Sequence, residues 1–160
     1  MSDEEKGKKQ QFKAPSKVLF GEMDSAKEIA DRLIASDHPH LATARIRYIL
    51  RDRAAKRAGI PVAGNVYKMG GKFEFLVGCD FVLEIAQDVW NPFTPQQRVA
   101  LIDHLLTRCV GEENEEEEGE NGGMKWKLRP AQVQEFPEVV ARHGPWNDSL
   151  VEMGQQLRRK

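Results

Sequence analysis

The chain has 160 residues, 40% of them apolar and 31% charged, with a formal net charge of −1. That suits one soluble globular domain with polar tails, long enough to bury a real core. No apolar run approaches the roughly 18–20 residues of a membrane span, so no membrane partner is expected.

Residues 1–19, opening "MSDEEKGKKQQFKAPSK", mix lysines with acids and offer little to bury. They read as a disordered polar arm, without the apolar core of a secretory leader. Residues 20–160 read as a single domain. "SAKE" at 25–28 has the form of a capping box, with Ser25 as N-cap and Glu28 at N3. Ile29, Leu33 and Ile34 then stripe a short helix. "DHPH" breaks it, because Pro39 restricts His38, and His38 and His40 are expected to serve a loop or turn. In "ARIRYILRDR", Ile46, Tyr48 and Leu50 alternate with Arg45, Arg47, Ile49 and Arg51. A period of two predicts a strand with one buried face. "NVYKM", Gly70–Gly71 and "KFEFLV" read as a hairpin. "DFVLEIAQDVW" alternates again and predicts a further strand.

"NPFTPQQ" opens the next element: Thr94 is a good N-cap, Pro95 fits N1, and Gln97 completes a capping box. The helix is expected to run to about Val110, with Gly111 as its stop. Val99, Leu101, Ile102, Leu105, Leu106 and Cys109 make it apolar over much of its circumference, hence central. "EENEEEEGE" at 112–120 holds seven glutamates, so the rest of the chain is net basic and this stretch reads as a solvated acidic loop. "MKWKL" suggests a short strand. Pro130 is expected to open a helix carrying Val133, Phe136, Val139 and Val140, and Asp148 to cap a last amphipathic helix with a basic end. The fold class is α+β: a small, mostly antiparallel twisted sheet packed on a central helix. Cys79 and Cys109 lie in apolar segments without CxxC spacing, so buried thiols in a reducing cytoplasm are expected.

The central helix carries the one chemical motif. A zinc peptidase presents two imidazoles one helical turn apart, with a glutamate beside the first to take a proton from metal-bound water. Residues 104–108 read "HLLTR": His104 stands alone, Leu105 replaces the base, and Arg108 replaces the second ligand with a permanent cation. No catalytic residue, metal or other cofactor is expected from this set. Arg108 is expected to pair with an acid such as Asp103 or one beyond the helix. Leu105→Glu with Arg108→His is expected to be tolerated by the backbone.

"LVGCDFVLEIAQDVWNPFTPQQRVALIDHLLTRC" and the later "VQEFPEVVARHGPW" resemble the phage metallopeptidase family, whose helix reads approximately DHELxHC. The resemblance runs from about Leu41 to Trp146. Its matches include Gly78–Cys79–Asp80–Phe81, Trp90, Asp103–His104, Leu106 and Cys109; its departures are Leu105 and Arg108. It implies a zincin-like order of elements and a phage protein acting in the host cytoplasm. With the chemistry-bearing positions changed, it implies a pseudoenzyme that binds a host protein, in an anti-defence or host-takeover role, rather than an enzyme. Two alternatives stand beside it. A metal-dependent hydrolase would hold zinc through unconventional ligands, with His104, His143 and Glu135 as the first set. A nucleic-acid binder would use Arg45, Arg47, Arg51 and Arg53, which share one face of a strand and could grip phosphates.

Overall fold

The computed structural model describes residues 17–113 and 123–160. The expected arm therefore lies almost entirely outside the described residues, as do residues 114–120 of the acidic stretch. Strand β1 (Phe20–Glu22) leads into helix α1 (Asp24–Ser36), and a single 3-10 turn (Pro39–Leu41) leads on to β2 (Ile46–Arg51). The alternation in β2 buries Tyr48, as its period predicts. A short ribbon, β3 (Lys56–Arg57) and β4 (Ile60–Pro61), precedes β5 (Gly64–Lys68). Helix α2 (Lys72–Val77), strand β6 (Phe81–Ala86) and the one-turn helix α3 (Gln87–Trp90) follow.

The main sheet has the order β1-β2-β6-β5. β2 and β6 run parallel, with Tyr48 opposite Leu83, and the two outer pairings are antiparallel. Phe81, Leu83 and Ile85 of β6 are completely buried. They form one core with Tyr48, Val66, Ala26 and Ala30 of α1, and Ile102, Leu105 and Leu106 of helix α4 (Pro95–Thr107). The fold is α+β with mostly antiparallel sheets, and α4 is central to it, as its apolar circumference predicts. Gly64 sets how close α4 comes to edge strand β5: a Cβ there would lie 2.9 Å from Leu105 Cδ1 and 3.1 Å from the Glu84 carbonyl oxygen.

Several expected boundaries are corrected. "KFEFLV" is α2, not the second strand of a hairpin. Gly71 at φ +53° turns the chain into the helix, and Gly78 at φ +73° ends it, donating its N–H to the Glu74 carbonyl. The antiparallel partner of β5 is instead β6, whose inward residues are fully apolar. Helix α1 begins at Asp24 after Met23, without a side-chain cap, so the Ser25 box does not form. Helix α4 ends at Thr107, and Cys109 already begins strand β7 (Cys109–Glu113), which pairs with β8 (Met124–Leu128). Gly111 is therefore a strand residue. A Cβ there would lie 2.6 Å from the Trp126 ring and from Met124 Cε, so a hydrogen is all the space admits. Glu112 and Glu113 also belong to β7, and Glu112 pairs with Lys127. The chain from Pro130 to Phe136 is not helical; α5 spans Pro137–His143. Asn147 rather than Asp148 caps α6 (Asp148–Arg158), accepting from the Leu150 N–H at 2.9 Å.

Candidate functional site

The orientation of α4 is set at its first turn. Thr94 Oγ1 accepts from the Gln97 N–H at 3.2 Å, and Gln97 Oε1 accepts from the Thr94 N–H at 2.9 Å. Residues 102, 105, 106 and 109 recur at helical spacing and face the core. That leaves His104, Thr107 and Arg108 on the outer side, one turn apart along the same face. They line a cleft of about 350 Å³ with Arg129, residues 130–133 and Met153 of α6.

His104 is exposed and Arg108 is half-buried. The Arg108 guanidinium donates to Asn65 Oδ1 of β5 at 3.3 Å, across the free edge of the main sheet. Its carbonyl accepts the Arg129 N–H at 2.9 Å, which ties the chain after β8 to the end of α4. Arg108 does not pair with Asp103. That carboxylate points to the other side of the helix and lies 2.6 Å from His38 Nε2. His38 is buried, and its ring stands edge-on to His40 with centroids 5.9 Å apart. His40 Nε2 in turn lies 3.0 Å from the Cys109 carbonyl oxygen. The two histidines of "DHPH" thus pin the 3-10 turn to α4 and to the start of β7. Sequence reasoning placed them in a turn and missed both partners, which are more than 60 residues away. The only local sign was the pair of imidazoles on either side of Pro39.

The remaining candidate residues are dispersed. Glu135 accepts from the Trp146 indole N–H at 3.0 Å and from the Phe136 N–H at 2.8 Å, while His143 lies exposed in the last turn of α5. Among the described residues no group of three or more His, Cys, Asp or Glu is gathered closely enough to hold a metal ion, so His104, His143 and Glu135 do not form one. The arginines around β2 have carboxylate partners. Arg45 bridges Asp80 and Glu74, Arg47 meets Glu22, Arg51 meets Glu84, and Arg53 lies 3.8 Å from Asp52. Asp80 is itself buried and also accepts the Arg45 backbone N–H at 2.8 Å, so this cation is built into the sheet. Both cysteines are free and buried. Burial pushes the Cys109 thiol up to about 12 and raises that of Cys79 as well.

The family model described as "Putative phage metallopeptidase" matches residues 20–155. The chain belongs to that family. Neither the curated proteins nor the solved structures contain a match to it. The phage metallopeptidase name implies a metal ion, and the side chains on α4 do not fit one. His104 supplies a single imidazole. Leu105 has nothing to ionise and is 1% exposed. Arg108 sets a cation, already engaged by Asn65, where a second ligand would stand, and a guanidinium repels a divalent ion.

Proposed function

We propose that this member of the phage metallopeptidase family is catalytically degenerate and acts by binding a host protein in the host cytoplasm, in an anti-defence or host-takeover role. The observation that carries the reading is the placement of Leu105. At the position of the family's general base, the side chain is committed to the core against Gly64 and cannot serve the cleft. The cleft itself remains, with His104 and Arg108 on its wall, and a cleft with a mostly apolar lining and a few polar groups is what a binding site requires.

The experiment is elemental analysis of gently purified protein, coupled to a peptidase assay on unfolded casein. No stoichiometric zinc and no cleavage are expected. Close to one zinc per chain together with cleavage would establish the hydrolase alternative instead. Capture from host lysate then identifies the partner. Loss of the captured protein with Arg108→Ala, and its retention with Arg142→Ala on the exposed face of α5, would place binding at the cleft.

A further inference from the structure

The cleft on α4 gathers two arginines whose charge accounting differs from that of the arginines around β2. Arg45, Arg47 and Arg51 each have a carboxylate within 4.0 Å. Arg108 and Arg129 stand on either side of the β7–β8 hairpin, at its open base, and among the described residues neither has a carboxylate partner. Among the described residues, the one polar contact of the Arg108 guanidinium is the neutral amide oxygen of Asn65, which occupies one of its five N–H donors. The backbone bond from Arg129 N to Arg108 O, 2.9 Å long, fixes the two residues side by side. His104 lies one turn back on the same wall and adds a ring nitrogen. Pro130, Ala131, Val133 and Met153 supply the apolar part of the lining, with Gln132 among them.

We propose that this cleft binds the carboxylate of an acidic peptide segment, with Arg108 and Arg129 gripping the oxygens and the apolar part of the lining taking a neighbouring aliphatic side chain. A guanidinium offers parallel N–H donors that match the two oxygens of a carboxylate, and two guanidiniums without a carboxylate partner among the described residues, set beside apolar side chains, select an anion carried on an apolar body. A nucleic-acid strand would instead need a continuous cationic track with stacking aromatics. The residues of this cleft provide neither: no aromatic ring lines it other than His104. The proposal rests on the reading that the α4 cleft binds rather than cuts, and it names the chemistry bound.

The test uses the full chain and two blocked tripeptides, acetyl-Leu-Glu-Leu-amide and acetyl-Leu-Gln-Leu-amide, titrated by 1H–15N NMR. The acid is expected to bind at least about tenfold more tightly than the amide, the loss expected when a charged hydrogen-bond partner is neutralised. Shifts should centre on Arg108, Arg129 and Met153. Arg129→Gln, at an exposed position, should fold normally and abolish most of the preference. Arg108→Lys keeps the charge but loses the fork, and should weaken it partially. Arg142→Gln should change nothing. Equal affinity for acid and amide, or shifts centred elsewhere, would overturn the assignment. So would inorganic phosphate or a single-stranded oligonucleotide displacing the acidic peptide at lower concentration, since the cleft would then be a phosphate site. Mass spectrometry of the recovered peptides separates this from the binding-only reading. Cleaved peptide would end that reading while leaving the carboxylate preference standing, whereas acid and amide bound alike and intact would end only the carboxylate assignment.

Discussion

Leu105 and Arg108 are both departures from a zinc-binding helix, but they are not equivalent residues. Arg108 faces the cleft, so Arg108→His removes one bond to Asn65 and is expected to cost less than about 1 kcal/mol. Leu105 lies in the core, and its burial argues against the tolerance expected of a glutamate there from sequence. Leu105→Glu is expected to cost about 3 kcal/mol or more, the scale of an unpaired buried charge. Urea denaturation of the two single variants checks this, and equal midpoints would show that α4 can rotate the new carboxylate into the cleft. Cys109 is another residue whose chemistry is set by position. Its thiol ionises near 9 when exposed and near 12 in the fold. Because the folded value is raised, the stabilisation is fully present below pH 9 and is lost as pH rises from 9 towards 12. The melting temperature is expected to fall across that window, and less steeply in Cys109→Ala. Tyr48, whose hydroxyl is pushed up by burial and further by the neighbouring Cys109, titrates in both proteins, so the difference in slope reports the thiol together with its coupling to Tyr48.

At the scale of elements, the β7–β8 hairpin shows how a single position supports a whole connection. Trp126 is buried edge-on against Phe81, with ring centroids 5.7 Å apart, and it covers Gly111 on the facing strand. Gly111→Ala forces the ring off that seat. It is expected to cost about 1–3 kcal/mol, the range for overpacking, and to shift the tryptophan fluorescence. An unchanged melting temperature would mean that Met124 and Trp126 yield without loss. Helix α2 makes the opposite point. Its Phe73, Phe75 and Leu76 are exposed, so the alternation of "KFEFLV" did not report a buried face. Two glycines in the left-handed region decided the conformation, and strand β6 took the pairing that a local hairpin would have used. The Thr94 capping box, by contrast, was legible because both of its bonds lie within four residues.

For the whole molecule, the basic strand and the acidic stretch bear on which partners fit. The arginines that share one face of β2 are already paired with carboxylates from β1, α2 and β6, which lowers their availability to phosphates. The hairpin ladder continues to the pair Glu113–Met124, so replacing residues 114–120 with a Gly/Ser linker of the same length leaves the ladder intact. The melting temperature is expected to stay within a few degrees or to rise, as like charges are removed. A cooperative loss of fold on scanning calorimetry would show that the acidic stretch docks on the basic body. The sequence by itself determined the fold class, the capped central helix, the alternating strands β2 and β6, the short strand β8 and the resemblance that names the family. Each of these is written in a local period, a cap or a contiguous motif. Only the tertiary structure decided that β2 and β6 pair in parallel, that Asp103 serves His38, that Arg108 crosses to Asn65, and that Arg129 and Met153 close the cleft. Those contacts join residues more than 20 positions apart, and they depend on which apolar faces bury one another, a competition that no local period encodes.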